Sequence, residues 1–254
     1  MTAANRPNGP QLFELRLPGG RVVFSTRQGG VSEGPYESLN LGILTADDPP
    51  RVAENRSRLA RAVGLEPHRI AMGWQVHGAE LREWPGERVP GRGFGGTATS
   101  DRGAELPRVD AHATGASGLA LLVLVADCLP VALCAPGRVA MLHCGWRGLA
   151  AGIVERALAT FPRAPAAGIG PGIGSCCYEV GPEARDPFRD LDGVTRGRML
   201  DLRAVVRHKL QAGGVQRVEE VDHCTSCRAD LYFSHRRDGG VTGRQAGLVQ
   251  ADRG

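Results

Sequence analysis

The sequence predicts an α+β fold of layered, mixed β-sheets flanked by helices. Three observations carry this expectation. Apolar runs of strand length outnumber segments with a helical period. Several of these runs follow one another with no helix between them, and the helical period is confined to three stretches. A regular βαβ repeat would alternate the two patterns instead.

In chain order, residues 1–20 read as a short polar extension of a single domain spanning 1–254. Met1 to Pro10 lacks the apolar core of a secretion signal. Val22 to Ser25 reads as a strand, and Gln28 to Leu41 as a long Gly/Ser/Pro-rich loop of functional length. Asp48 stands where a cap belongs, before Pro49 and Pro50, and Gly64 ends the helix whose apolar face holds Val52, Leu59 and Val63. Arg69 to Gly73 and Ala79 to Trp84 read as strands around Gln75-Val76-His77-Gly78. Pro85 to Pro107 reads as a mobile surface loop. Leu119 to Ala126, Pro130 to Cys134 and Val139 to His143 are the strongest strands. A helix is expected over Gly148 to Phe161, a strand over Ala166 to Gly170, and a helix from the Asp201 cap to Ala212. The last strands are Val215 to Val221, Leu231 to Ser234 and Thr242 to Val249.

Composition narrows the function classes. The net charge is +4, with both signs interleaved, and Lys209 is the only lysine. No charge block reads as a nucleic-acid arm, and no apolar run is long enough to span a bilayer. The expectation is a cytoplasmic protein, monomeric or homodimeric, with no nucleic-acid or membrane partner. Seven cysteines are an odd number for a disulfide framework.

Three segments place a potential metal ligand at a strand end or turn. They are Gln75-Val76-His77-Gly78, Ala126-Asp127-Cys128-Leu129-Pro130 and His143-Cys144-Gly145-Trp146-Arg147-Gly148. Two imidazoles and a thiolate suit zinc and leave a coordination position for chemistry. Spacing alone leaves another reading open: Cys128 as a buried small residue, His77 as a turn residue and His143 as a satisfied core histidine. Cys224-Thr225-Ser226-Cys227 is half of a structural zinc site with no evident partner pair, and reads, with Cys176 and Cys177, as ordinary thiols.

The words around these residues carry a resemblance. Phe24-Ser25-Thr26-Arg27-Gln28-Gly29-Gly30-Val31-Ser32, Ser38-Leu39-Asn40-Leu41-Gly42 and the three ligand segments resemble the YfiH-like family, also called the laccase-domain or polyphenol oxidase family. So do Gly170-Pro171-Gly172-Ile173-Gly174-Ser175-Cys176-Cys177-Tyr178-Glu179-Val180-Gly181, Tyr232-Phe233-Ser234-His235-Arg236-Arg237-Asp238 and Thr242-Gly243-Arg244-Gln245. The resemblance covers roughly residues 20 to 250. It implies the YfiH-like putative cysteine hydrolase fold, zinc held by His77, Cys128 and His143, and purine nucleoside phosphorylase activity. The implied substrates are phosphate with adenosine, inosine, guanosine or S-methyl-5'-thioadenosine, with adenosine deamination as a second activity. Three positions depart from the family pattern, His112, Cys144 and His235, and each adds a possible metal-binding group.

Phosphorolysis needs an anion site. Arg27 and Arg147 are the expected phosphate clamps. Asn40 is expected to bind the ribose, Asp110 to hold a ribose hydroxyl or orient a ligand imidazole, and Asp127 to serve as a base. Competing classes are a copper polyphenol oxidase, a cysteine hydrolase using Cys128 and His143, and a non-enzymatic metal-binding module. Seven scattered histidines supply a copper oxidase poorly.

Overall fold

Period-two burial along the central strands decides the architecture. In Ala120–Val125, residues Leu121, Val123 and Val125 enter one core cluster, while Ala120 and Leu122 enter another. In Leu129–Ala135 and Arg138–Cys144, Ala132, Cys134, Val139 and Met141 join the first cluster. Val131, Leu133, Ala140, Leu142 and Cys144 join a third. Three cores around two sheets make four layers. Each central strand is covered on both faces, so these runs read as continuously apolar.

The computed structural model describes residues 2–4, 9–86, 93–95 and 106–252. Among them the strands are β1 (Thr2–Ala4), β2 (Leu12–Leu17), β3 (Gly20–Ser25), β4 (Ile70–Ala71), β5 (Leu81–Glu83), β6 (Ala111–Thr114) and β7 (Ala120–Val125). They continue with β8 (Leu129–Ala135), β9 (Arg138–Cys144), β10 (Ala166–Ile169), β11 (Thr195–Arg196), β12 (Met199–Leu200), β13 (Val218–Glu220) and β14 (Gln245–Ala251). The helices are α1 (Pro49–Val63), α2 (Trp146–Ala150), α3 (Ile153–Leu158), α4 (Pro182–Arg185) and α5 (Leu202–Ala212). None is long and apolar enough to cross a membrane.

The first sheet runs β1-β2-β3-β14-β7-β4 and is antiparallel except where β4 joins β7. The second runs β13-β10-β8-β9-β6-β5 and is parallel only at its two edges. Helix α1 packs Leu59, Ala60 and Val63 on the outer face of the first sheet. Helices α2, α3 and α5 cover the outer face of the second with Leu149, Ile153, Val154, Val205, Val206 and Leu210. Between the sheets, a Cβ on Gly247 would stand 2.4 Å from the Pro130 Cβ, so only glycine allows the layers to meet there.

The chain passes from the first sheet to the second twice. It crosses between β4 and β5 through residues 72–80, and between β7 and β8 through Ala126-Asp127-Cys128. At the first crossing the Gln75 side-chain amide donates to the Leu124 carbonyl and accepts from its amide, both at 2.8 Å.

Several local expectations are corrected. Residues 12–17, expected within a polar extension, form β2 and bury Leu12, Phe13, Leu15 and Leu17. The helix expected over 148–161 is two short helices, because Gly152 adopts a left-handed φ of 85° that ends one and starts the other. Asp48 occupies the cap position without a side-chain cap bond and lies 3.6 Å from Arg51 instead. Pro49 and Pro50 have no N–H to be capped. Asp201 does cap α5, accepting from the Ala204 amide at 2.9 Å. Leu231 to Ser234 is not a strand, since the Gln245 side chain takes both the amide and the carbonyl of Phe233. Most of the loop expected over 85–107 lies outside the described residues, but Phe94 is fully buried in the core beside α1.

His112 sits between the sheets, fully buried, with its Nδ1 accepting the Trp84 indole N–H at 3.2 Å. Burial pushes its pKa down to about 4, against the opposing influence of Asp110. The folded protein therefore refuses a proton that the unfolded chain takes up below about pH 6.5. Stability is full above that pH and declines as pH falls toward about 4. Urea midpoints measured across this window should fall more steeply for the wild type than for His112→Leu. Parallel slopes would show that His112 does not drive the acid loss.

Candidate metal centre and pocket

The site lies where both sheet crossings meet the C-terminal end of β9. Asp110, just before β6, is completely buried. Its carboxylate accepts the backbone N–H groups of Val76 (3.1 Å), His77 (2.9 Å) and Gly78 (2.8 Å). The same carboxylate lies 2.8 Å from His143 Nδ1. One side chain thus fixes the first crossing, where His77 takes a left-handed φ of 60°, and the His143 ring. With Nδ1 committed to Asp110, Nε2 of His143 is the nitrogen left for a metal.

Cys128 comes from the second crossing. Asp127 before it has a φ of 91°, a conformation costly for a residue with a side chain. The Asp127 carboxylate is held by the Thr225 hydroxyl at 2.6 Å and the Arg236 amide at 2.7 Å. The Ile173 amide donates to the Asp127 carbonyl at 2.8 Å. The strain is restrained from three sides.

His77, Cys128 and His143 converge, with one ligand atom of each within 4.8 Å of the others. The two rings meet edge to face at 4.9 Å between centroids. Burial pushes the Cys128 thiol up, but the His143 charge and hydrogen bonds from both imidazoles outweigh it, so the thiol is held below its ordinary value. His143 is raised, because the Cys128 thiolate and Asp110 outweigh its burial. Asp110 is lowered, since His143 and the backbone amides outweigh the cost of burial. A Cβ on Gly145 would stand 2.9 Å from Cys128 Sγ, so the glycine keeps the approach to the thiol open. The soft and borderline donors, their convergence and the oriented imidazole fit a zinc ion.

Above these donors is a pocket of about 470 Å³, within the usual range for small-molecule sites. Among the described residues its lining includes four arginines (Arg56, Arg147, Arg236 and Arg244) and three histidines, against a single carboxylate, Asp127. Ile43, Leu44, Met72, Trp74, Leu106 and Leu124 form its apolar wall.

The other site expectations divide. Arg147 lines the pocket, exposed, with its guanidinium 4.4 Å over the Trp146 ring. Arg27 is not among the lining residues. Its guanidinium holds the Glu37 and Ala229 carbonyls and lies 4.7 Å over Phe233, tying the glycine-rich loop to the chain near residue 230. Asn40 is fully buried and also outside the lining, and it organises the loop through Thr45, Asp47 and the amides of Gly42 and Arg244. Asp110 orients the His143 imidazole, whereas Asp127 has both carboxylate oxygens bonded and acts as a brace. Cys144 is buried in the outer core and His112 between the sheets, and neither joins the candidate metal group. His235 lines the pocket outside that group. Sequence reasoning missed Tyr178, Arg236 and Arg244 as pocket residues. Each lies within a quoted family word, Cys-Cys-Tyr-Glu, Ser-His-Arg-Arg-Asp and Thr-Gly-Arg-Gln.

Known proteins share this sequence and fold. Residues 21–252 match the family model described as multi-copper polyphenol oxidoreductase laccase. The chain is 40% identical over 248 residues to the purine nucleoside phosphorylase SCO2081 of Streptomyces coelicolor, covering 92% of this chain and 96% of that protein. It is 36% identical over 238 residues to the purine nucleoside phosphorylase YfiH of Escherichia coli, covering 89% and 91%. The crystal structure of YlmD from Geobacillus stearothermophilus superposes with a TM-score of 0.81 at 31% identity and covers 99% of both chains. A match over almost the whole length in both sequence and fold leads to one conclusion: the chain belongs to the multi-copper polyphenol oxidoreductase laccase family, together with YfiH and YlmD.

Proposed function

We propose that the protein is a zinc-dependent purine nucleoside phosphorylase that also deaminates adenosine. The observation that carries this reading is one pocket that joins a His77–Cys128–His143 donor set to an arginine-rich lining. Relatives named purine nucleoside phosphorylase support it. Zinc held by His77, Cys128 and His143 would supply a Lewis acid at the pocket floor. Zinc is favoured over copper because multi-copper oxidase sites need several clustered histidines, and the metal group here contains two.

In phosphorolysis a phosphate oxygen bonds to the ribose C1′, and the C–N bond to the base breaks with its electron pair leaving on the base. The protein must hold an anion in line with that carbon and accommodate a flat heterocycle. Arg147 and Arg244, which line the pocket, would clamp the phosphate with forked N–H donors. The Arg244 backbone is anchored through Asn40, and its Nη1 is bound to the Thr242 and Gly243 carbonyls, so the guanidinium is set before substrate arrives. The base would lie on the apolar wall formed by Met72, Trp74 and Leu124.

A second reading rests on a specific geometry. Asp110, His143 and Cys128 form a chain of contacts like that of a cysteine hydrolase triad. The second imidazole, His77, bonded to the same thiol, favours the metal reading, because a triad has no use for it.

Asp110→Asn should weaken zinc binding about 10- to 100-fold, as read by competition with a chromogenic chelator, because the ring and the His77 turn lose their common anchor. Arg147→Ala should raise the Michaelis constant for phosphate by about tenfold or more and that for inosine much less. Arg27→Ala should leave that ratio unchanged and lower the melting temperature instead. Base release that does not depend on phosphate would refute phosphorolysis. Intact-mass measurement during turnover should find no covalent adduct on Cys128, and a stoichiometric, turnover-competent adduct would establish the hydrolase reading.

A further inference from the structure

Cys224-Thr225-Ser226-Cys227 does have a partner pair. The turn after Gly170-Pro171-Gly172-Ile173-Gly174 brings Cys176 and Cys177 against it. A parallel bridge joins Gly172 to Cys224, and the Gly172 and Thr225 amides donate to the His223 and Gly172 carbonyls. The Cys227 Sγ lies 3.6 Å from the Cys176 Sγ and 3.5 Å from the Cys177 Sγ, and all four sulfurs are within 4.8 Å of one another.

We propose that Cys176, Cys177, Cys224 and Cys227 form a second, structural zinc site, a closed tetrathiolate clasp separate from the pocket. The spacing suits it. Four sulfurs at about 2.3 Å from a tetrahedral ion stand about 3.8 Å apart along each edge. A disulfide needs a sulfur separation of about 2.0 Å and a single chosen partner. Here all four cysteines are free, and Cys227 is shared almost equally between Cys176 and Cys177. The backbone is arranged for thiolates, since the Gly174 amide donates to Cys224 Sγ at 3.2 Å and the Cys227 amide donates to the same sulfur. Four sulfur ligands leave no position for substrate, as in sites that hold structure rather than perform chemistry.

The clasp has a mechanical purpose. It joins the segment bearing Tyr178, a pocket residue, to the segment bearing Thr225, whose hydroxyl holds the strained Asp127 beside Cys128. Arg237 binds the Thr225 and Ser226 carbonyls from the other side, and Arg236 donates its amide to Asp127 and its guanidinium to the Glu179 carbonyl. Metal at the four cysteines would lock the pocket wall that carries Tyr178 and Arg236. This inference does not depend on the reaction proposed above.

Metal analysis and X-ray absorption of the full chain test it. Wild-type protein purified with zinc should hold about two equivalents per chain, and Cys128→Ser about one. Zinc-edge absorption of Cys128→Ser should show about four sulfur neighbours at roughly 2.3 Å. The double variant Cys224→Ser, Cys227→Ser should lose that equivalent and melt at a lower temperature that added zinc does not restore. Should that variant fail to fold, alkylation of the wild type decides the matter: zinc should protect all four cysteines from iodoacetamide, and a chelator should expose them. A Cys128→Ser protein that takes up no zinc would overturn the proposal. So would nitrogen or oxygen neighbours in its absorption spectrum, or a disulfide among the four cysteines in the purified wild type.

Discussion

A single buried carboxylate organises the functional end of this molecule. Asp110 accepts three consecutive backbone N–H groups and bonds a histidine ring, and it is completely shielded from water. A bare carboxylate there would be costly, so the four donors stabilise the charge as much as the charge holds them. The His77 turn has no helix or strand of its own to keep it in place. Its left-handed residue and its aim toward Cys128 follow from amides gathered on one anion. Losing that anion would leave both imidazoles without a common reference.

The layered sheets explain why the site lies where it does. Two strand-to-strand connections leave the first sheet for the second at the same end, and each carries one donor, His77 or Cys128, across the gap. The third donor, His143, arrives on a strand of the second sheet, one residue before its end. Connections that change layers cannot complete a ladder, so their polar groups must find other partners. Here the Asp110 side chain provides them for the first crossing, and the Ile173 amide for the carbonyl of the residue before Cys128.

Much of this was legible in the sequence where chemistry is local. Helix α1 follows from Pro49, Pro50 and Gly64, and its bounds agree with the expected ones. The central strands were evident from their apolar content, and the short motifs singled out the three side chains that converge, His77, Cys128 and His143. Arg27 shows where such reading fails. A guanidinium in a glycine-rich loop suits a phosphate clamp equally well as it suits two carbonyls and an aromatic ring, and only the approach of residues 229–233 from far along the chain distinguishes them. The four cysteines fail for the same reason. The pairs lie about fifty positions apart, and the turn that unites them carries no spacing signature. Strand β2 was hidden by the polar segment that precedes it.

The Gln75 amide has a consequence for how the molecule behaves in company. Where β4 stops after two residues, its neighbour β7 would present an open amide and carbonyl at Leu124, and an open ladder invites pairing with another chain. The glutamine fills that rung with a side chain, so the main chain is free to leave for the His77 turn while the Leu124 rung stays paired. The same side chain that lets the backbone turn away toward His77 thus also keeps one rung of β7 from being offered to another chain.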